Sequence, residues 1–236
     1  MARPQDRPVH ALVVAAGDVP ERSALDAAWP GWSDDVGLVV AADGGAARVA
    51  RLGFTPHVVV GDGDSLAPAE IERLRAAGVE LVLVPAAKDE SDTELAVLHA
   101  LDRGARRVSL VGATGGPRLD HTLANVALLA HPRLSGVPAV ILDAQARIRL
   151  VRAPGPDDRP VRLPLPGPAG GIVSLLPLEP RVDGVTTEGL LFPLRNEPLA
   201  LGPARGLSNV RLAGDAAVVV AHGLLLVVET PATLRP

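Results

Sequence analysis

The sequence predicts an α/β domain with a doubly wound, mostly parallel sheet, followed by a C-terminal antiparallel β-sandwich domain. Up to about residue 143, short β-branched runs alternate with helical patterns, which is typical of βαβ units. After about residue 152, stretches rich in proline and glycine replace the helical periodicity and short strand-like runs follow. We therefore predict domains over residues 1–152 and 153–236.

The elements of the first domain follow from these patterns in chain order. Strands are predicted at residues 11–15, 38–42, 57–60, 81–84, 108–111 and 139–142, and helices at 45–52, 67–77 and 93–103, each bounded by glycine or proline. In the second domain, strands are predicted at 172–176, 182–187, 210–212 and 217–228. Ligands of open parallel sheets bind beyond the carboxyl ends of the strands, so the polar residues there are the functional candidates.

The composition excludes several functional classes. The chain of 236 residues has no cysteine, which excludes disulfide frameworks, thiolate zinc sites and cysteine nucleophiles. A net charge of −4 without a long basic run disfavours a nucleic-acid partner. The polar opening segment lacks a secretory core, and no apolar run is long enough to span a bilayer. We therefore expect a cytoplasmic protein with no membrane partner and small-molecule chemistry.

Two acidic loops follow the second and third predicted strands. The first begins Asp43-Gly44, and the second contains Asp62 and Asp64, which point the same way in an extended chain. Paired carboxylates at this spacing suit a hard cation, which suggests Mg²⁺ with phosphate. Each loop taken alone also fits ordinary turn chemistry, because Asp and Gly are favoured turn residues.

The third loop leads into the helix predicted from residue 93. Ser91 and Glu94 fit a capping box at the start of this helix. Capping does not account for Lys88, the only lysine in the chain, beside Asp89 and Asp92. A cation next to metal-binding carboxylates suits a polyphosphate held partly by Mg²⁺ and partly by ammonium.

The fourth loop is rich in glycine and opens a helix. Glycines permit close backbone approach, and a helix start offers free amides to an anion. Helical spacing predicts one polar face and one apolar face, the latter with Leu119, Leu123 and Val126. The polar face carries Arg118, His121, Thr122 and Asn125. A solvated face would explain these residues, but their donors also suit phosphate and base recognition, which we favour.

Together the loops resemble the ordered motifs of thiamine diphosphokinases (thiamin pyrophosphokinases) across nearly the whole chain. The matching motifs are Asp43-Gly44-Gly45, Gly61-Asp62-x-Asp64-Ser65, Lys88-Asp89-x-x-Asp92-x-Glu94, Gly115-Gly116-x-Arg118-x-Asp120-His121-x-x-x-Asn125 and Ser208-Asn209. Each motif alone is weak, whereas five in the correct order are specific. The family's α/β catalytic domain followed by a β-sandwich also agrees with the change in sequence pattern near residue 152.

The resemblance implies Mg²⁺-dependent transfer of diphosphate from ATP to the thiamine hydroxyl by a homodimer. It implies catalytic metal ligands at Asp62, Asp64 and Asp92. It implies ATP-binding residues at Asp43, Gly44, Lys88, Asp89, Arg118, His121 and Asn125. It implies thiamine-binding residues at Asp120, Ser208 and Asn209, near the dimer interface.

Two departures from the family pattern concern the acceptor. Gly63 stands where many relatives carry an aromatic residue, and Phe192 is one of few rings in the chain. We expect Phe192 in the core of the β domain, although it could also stack on substrate. The alternatives are a diphosphokinase acting on another hydroxyalkyl heterocycle, such as a pterin, and a nucleotide-binding relative without turnover.

Overall fold

The chain folds into two compact units that divide between Ala144 and Gln145. The structure is a computed structural model that describes residues 9–232, so residues 1–8 and 233–236 of the two predicted domains lie outside the described residues. The predicted boundary at 152/153 falls further along the chain than this division. The strand Arg147–Ala153 belongs to the second unit because it pairs along its whole length with Gly223–Thr230.

The described part of the first unit, from residue 9, is built on six parallel strands. They are β1 (Val9–Val14), β2 (Val36–Ala42), β3 (Val58–Gly61), β4 (Glu80–Leu83), β5 (Ala105–Val111) and β6 (Ala139–Leu142). Their order in the sheet is β6-β5-β1-β2-β3-β4. The chain thus winds outward from β1 in one direction as far as β4, and then in the other through β5 and β6. The direction reverses between β1 and β5, which is where sheets of this type bind ligands.

Within residues 9–232, four α-helices connect the strands. They are α1 (Arg22–Ala28), α2 (Pro68–Ala76), α3 (Asp92–Asp102) and α4 (Leu119–Leu128), and short 3₁₀ helices occupy Pro132–Leu134 in this unit and Pro156–Asp158 in the next. The predicted helix at 45–52 is a 3₁₀ helix, Asp43–Leu52. No helix within residues 9–232 is long and apolar enough to cross a membrane.

Apolar burial on both faces of the sheet holds the first unit together. Strands β1 and β2 are near-continuous runs of buried Val, Leu and Ala, as expected for central parallel strands covered by helices. The 3₁₀ helix packs close to β1 at Gly45, where an added Cβ would lie 2.2 Å from the carbonyl oxygen of Val14. Glycine at this position therefore allows Asp43 to sit directly at the end of β2.

The second unit is a sandwich of two antiparallel four-stranded layers. Its strands are β7 (Arg147–Ala153), β8 (Val161–Pro164), β9 (Ile172–Pro177), β10 (Arg181–Glu188), β11 (Glu197–Ala200), β12 (Asn209–Val210), β13 (Ala217–Val220) and β14 (Gly223–Thr230). One layer has the order β12-β9-β14-β7 and the other β11-β10-β13-β8. Inward-facing residues such as Val173, Val185 and Val218 form the core between the layers.

The prediction of one strand over residues 217–228 is wrong. The segment is two strands, β13 and β14, which lie in different layers. The chain reverses just before Gly223, whose φ of +107° suits glycine and disfavours other residues. Hydrophobic pattern alone does not show this reversal, because both strands are apolar.

A fully buried carboxylate lies on β14, between its neighbouring strands β7 and β9. The Glu229 side chain accepts hydrogen bonds from Arg147, Arg149 and Arg211, at 2.6 to 3.1 Å. Burial lowers the pKa of Arg211, an effect that the charge of Glu229 opposes. Arg211 also donates to the carbonyl of Leu165, so this cluster fastens the segment after β8 to the sandwich.

Buried His10 in β1 makes the stability of the first unit depend on pH. Its Nδ1 donates to the carbonyl of Asp34 and its Nε2 accepts from the Ser109 hydroxyl, both at 2.9 Å. Burial lowers the pKa of His10; the bond to Asp34 and the charge of Asp35 oppose this shift, and Arg107 adds to it. The folded state therefore favours the neutral ring.

We predict that the free energy of unfolding falls as pH drops below about 6.5, the ordinary histidine pKa. Below this pH, His10 binds a proton in the unfolded chain more readily than in the folded one. The stabilisation that is present above this pH is therefore lost below it. Urea titrations at pH 7.5 and 5.5 measure the loss. In His10→Gln, the free energy of unfolding should depend less on pH. His222 is exposed, so the control variant His222→Gln should keep the pH dependence of the wild type. Equal pH dependence in His10→Gln and the wild type would contradict this assignment.

Candidate active site

A cavity of about 490 Å³ lies at the carboxyl ends of the parallel strands. This volume is within the range of small-molecule sites. Residues after all five strands from β1 to β5 line it, among them Gly17, Asp43, Asp62, Lys88 and Gly112. The cavity therefore lies at the predicted position, where the winding direction of the sheet reverses.

Three carboxylates from different elements meet in this cavity. Asp43 follows β2, Asp62 follows β3 and Asp92 is the first residue of α3. One oxygen from each lies within 4.8 Å of the other two. The Asp43 Oδ1 atom is buried and has no hydrogen-bond partner. A buried carboxylate oxygen without a partner is costly, and a divalent cation would satisfy it. The oxygen-only donor set fits Mg²⁺.

The backbone around Asp43 has little freedom. Asp43 itself has a positive φ of 41°, and Gly61 at the end of β3 passes so close that an added Cβ would lie 2.7 Å from the Asp43 Cβ atom. Glycine at 61 thus permits the ends of β2 and β3 to bring Asp43 and Asp62 together.

Lys88 lies beside the carboxylates. Its ammonium group donates to Asp92 at 2.6 Å. Burial lowers the pKa of Lys88, but the hydrogen bond with Asp92 and the charges of Asp92, Asp62 and Asp43 outweigh it, so the pKa is raised. Lys88 is therefore a permanent cation in the cavity.

Helix α3 begins as the sequence predicts, with one difference in its cap. The Ser91 hydroxyl accepts the Glu94 N–H at 3.1 Å, which is half of the predicted capping box. The Glu94 carboxylate lies 3.6 Å from the ring of His131. Because Ser91 caps the helix, Asp92 is its first residue and lies in the first turn.

The predicted ligand Asp64 lies outside the carboxylate trio. Its side chain is exposed, its N–H donates to Asp62 at 3.1 Å and its Oδ1 accepts from the Ser65 hydroxyl at 3.0 Å. Asp89 is also exposed and, like Gly44, does not line the cavity. The structure thus places Asp43, rather than Asp64, with Asp62 and Asp92.

The glycine-rich loop after β5 is held from both sides. Gly115 and Gly116 have φ values of +74° and +75°. The Gly116 N–H donates to the Asp18 carboxylate at 3.0 Å, and the Asn125 side chain donates to the Ala113 carbonyl at 2.8 Å. The Gly116 N–H is therefore occupied by Asp18, and Asn125 acts on the loop that shapes the cavity.

The predicted orientation of helix α4 is wrong. Leu119 and Leu123, expected on a packed face, are 69% and 62% exposed, whereas Asn125 is buried. The reason is that the Asn125 amide turns inward and donates to the Ala113 carbonyl. Leu128 is the buried apolar residue of this helix. His121 and Thr122 still line the cavity.

Arg118, the N-cap residue of α4, lines the cavity and is paired. Its Nε donates to the Asp120 carboxylate at 2.9 Å. This hydrogen bond lowers the pKa of Asp120 to about 2, so Asp120 is an anion at neutral pH. Asp120 itself does not line the cavity.

In the second unit, Asn209 organises a smaller cavity of about 130 Å³. The Asn209 amide accepts from the Phe192 N–H at 2.9 Å and donates to the Phe192 carbonyl at 2.6 Å. Both polar backbone groups of Phe192 are thus held by one buried side chain. Ser208 is exposed with a φ of 56°, and its N–H donates to the Ser174 hydroxyl at 3.1 Å.

The expectation that Phe192 is a core residue is wrong. Phe192 is 62% exposed and lines the smaller cavity. The bonds from Asn209 hold its backbone at the surface, so the ring does not join the core of the sandwich. An exposed aromatic side chain on a fixed backbone is a typical recognition feature.

Two family models match the chain. "Thiamin pyrophosphokinase, catalytic domain" matches residues 32–141, and "Thiamin pyrophosphokinase, vitamin B1 binding domain" matches residues 161–225. The chain belongs to the thiamin pyrophosphokinase family. The cavity at the strand ends lies mainly in the segment that matches the catalytic domain, and the Phe192 cavity lies in the segment that matches the vitamin B1 binding domain.

Relatives of this family match over most of their length. Thiamine pyrophosphokinase of Bacillus subtilis is 27% identical over 200 residues, which cover 85% of this chain and 90% of the relative. Its crystal structure aligns with a TM-score of 0.78 at 25% identity, covering 94% of this chain and 99% of that one. A thiamin pyrophosphokinase family protein from Enterococcus faecalis aligns with a TM-score of 0.75 at 27% identity, covering 94% and 98%.

Among the residues that line the larger cavity, Arg48 and Gly17 had no place in the predicted site. Arg48 lines the cavity of the catalytic domain, and Gly17 lines it from the loop after β1. Gly17 could have been found from its place after the first strand. Arg48 lies five residues beyond Asp43, on the 3₁₀ helix, and only the packing of that helix brings it to the cavity.

Proposed function

We propose that the protein transfers a diphosphate group from ATP to the hydroxyl of thiamine, with Mg²⁺, giving thiamine diphosphate and AMP. The observation that carries the proposal is the meeting of Asp43, Asp62 and Asp92 beside a permanent cation, Lys88, where the sheet winding reverses in the catalytic domain. The name of the Bacillus subtilis relative, and its match over 90% of its length, support the same activity.

Carboxylates of the trio would hold the ion, and the buried oxygen of Asp43 is the strongest reason to place it there. Asp64 stays in the proposed ligand set on the strength of the family motif, although its exposed carboxylate lies outside the trio and accepts from Ser65. When bound, Mg²⁺ neutralises charge on the phosphate oxygens during transfer.

The other polar residues of the cavity would bind the nucleotide. Lys88 would contact a phosphate next to the trio, and Arg118 and His121, which line the same cavity, would contact the phosphate chain as well. Asn125 positions the glycine loop through its bond to Ala113. Gly44 and Asp89 stay in the proposed ATP site on the strength of the family motifs.

The reaction balances without a covalent enzyme intermediate. A bond forms between the thiamine hydroxyl oxygen and the β-phosphorus of ATP. The bond from the β-phosphorus to the oxygen it shares with the α-phosphorus breaks, AMP leaves with that oxygen, and the hydroxyl proton passes to solvent. Such transfers depend mainly on positioning and electrostatics, which is what a rigid set of charges at strand ends supplies.

For the acceptor, we propose that thiamine binds at the exposed ring of Phe192. The thiazolium cation of thiamine is attracted to an aromatic face, and Phe192 is fixed by Asn209 for this contact. Ser208, exposed and next to Asn209 in the chain, is the proposed polar contact there. Asp120, an anion at neutral pH, stays a proposed thiamine-binding residue on the strength of the family motifs alone.

We also propose that the protein works in the cytoplasm as a homodimer. The exposed pair Leu119 and Leu123 on α4 gives apolar surface that association would cover. Sedimentation equilibrium measures the assembly state directly. A mass of one chain at micromolar concentration would contradict the proposal.

An acceptor screen tests the proposed substrate. The protein is incubated with Mg-ATP and either thiamine, 6-hydroxymethylpterin or no acceptor, and AMP is quantified. We expect AMP only with thiamine. AMP with the pterin alone would assign another acceptor to the site, and no AMP with either would leave a nucleotide-binding protein without turnover.

A further inference from the structure

The cations that line the catalytic cavity differ in how they are paired. They are Arg48, Lys88 and Arg118. Lys88 pairs with Asp92 and Arg118 pairs with Asp120. Arg48 has no carboxylate partner among residues 9–232; its guanidinium donates to the backbone carbonyl of Gly17. A cation in a cavity, without an anionic partner of its own, has its charge available to a ligand.

The backbone offers less to a phosphate here than a glycine-rich loop suggests. The Gly116 N–H is taken by the Asp18 carboxylate, and the Gly17 N–H donates to the Gly112 carbonyl at 2.7 Å. These bonds fasten the loop after β1 to the loop after β5. Anion binding must therefore rely more on side-chain cations than on these two amides.

Arg48 is well placed for this task. It lies on the 3₁₀ helix that begins with Asp43, and its bond to Gly17 brings it to the end of β1, at the reversal point of the sheet. A guanidinium has five N–H donors in a planar fork, and a single bond to Gly17 leaves others for bidentate contact with phosphate oxygens.

We infer that Arg48 is a phosphate-binding residue for the nucleotide, contacting the phosphate chain in the cavity that also holds the carboxylate trio. The inference deepens the proposed function and rests on ATP as the donor. The carboxylates would act on the phosphates through a cation, whereas Arg48 acts on them directly. Arg48 also stays tied to Gly17, so its fork is held in place before the nucleotide binds.

The test is the equilibrium affinity for Mg-ATP, measured by calorimetry without thiamine, in Arg48→Gln and Arg48→Lys. Glutamine keeps a donor for the Gly17 carbonyl but has no charge. Losing a charge-assisted contact should weaken Mg-ATP binding roughly 10- to 100-fold. Lysine should restore part of the affinity, since it keeps the charge but lacks the fork.

Arg51→Gln is the matched control, because Arg51 lies on the same helix and pairs with Glu21 at the surface, at 3.4 Å. We expect it to bind Mg-ATP as the wild type does. Melting temperatures and adenosine affinity should be unchanged in Arg48→Gln, since a phosphate contact affects neither. Wild-type Mg-ATP affinity in Arg48→Gln, or a loss matched by lower melting temperature and weaker adenosine binding, would overturn the inference. Failure of the wild type to bind Mg-ATP at all would instead overturn the proposed function.

Discussion

Replacing Asp43 with asparagine is expected to lower kcat about 10³-fold, or about 4 kcal/mol of transition-state stabilisation, without destabilising the metal-free protein. Asparagine has nearly the same shape and tolerates the positive φ at this position. It removes the charge of a buried carboxylate whose Oδ1 has no partner, so the melting temperature without metal should stay equal or rise. Steady-state AMP formation and thermal melts measure the two effects.

The effect of metal on stability provides a second measurement for Asp43→Asn. Mg²⁺ with ATP should raise the melting temperature of the wild type and do so less in the variant, because a ligand that binds the folded state stabilises it. Asp157→Asn is the control, since exposed Asp157 in the second unit has a similar left-handed backbone, with φ of 58°. Full activity in Asp43→Asn would remove Asp43 from the metal site.

Replacing Phe192 with alanine is expected to raise the KM for thiamine about 10- to 100-fold, with little change in the KM for ATP. The ring is exposed, and its loss removes both apolar contact and the attraction between an aromatic face and a cation, together about 1–3 kcal/mol. Initial-rate kinetics with each substrate varied in turn give both constants.

Leu191→Ala is the matched control for Phe192→Ala. Leu191 is the preceding residue and is 49% exposed, but it does not line the cavity. Its variant should keep the wild-type KM for thiamine. Equal thiamine KM values in Phe192→Ala and the wild type would remove the ring from the acceptor site, and a parallel rise in the KM for ATP would indicate a general structural defect.

The parallel sheet could be predicted because its strands are continuous apolar runs with breakers at each end. The six strands lie within a few residues of their predicted positions. Helix α1 gives a weak signal, since it has only seven residues and Glu21 makes no side-chain cap. Strands β8 and β11 contain proline, and local pattern disfavours strands there.

The site could be predicted down to its loops, but not to its individual contacts. Carboxylates after β2 and β3 and at the start of α3 meet because parallel strands share one edge, which the motif order already indicates. Whether Asp43 or Asp64 joins Asp62 and Asp92 depends on the left-handed backbone at Asp43 and on close packing at Gly61. Neither is visible in residue spacing.

In the second unit, the contacts of Asn209 could not be predicted from the sequence either. Sequence suggests a substrate contact, whereas both ends of its amide are occupied by the backbone of Phe192. A hydrogen bond between residues 17 positions apart depends on how two loops meet. Phe192, and not the Asn209 amide, is therefore the stronger candidate for direct contact with the acceptor.

The most direct measurement quantifies AMP, ADP, thiamine diphosphate and thiamine monophosphate together in one quenched reaction of metal-stripped protein with ATP and thiamine. On adding back Mg²⁺, we predict AMP and thiamine diphosphate in equal amounts, with neither formed in EDTA. ADP with thiamine monophosphate would show transfer of a single phosphoryl group, and product formation in EDTA would show that the carboxylate trio does not act through a metal. Either result would contradict the proposed chemistry.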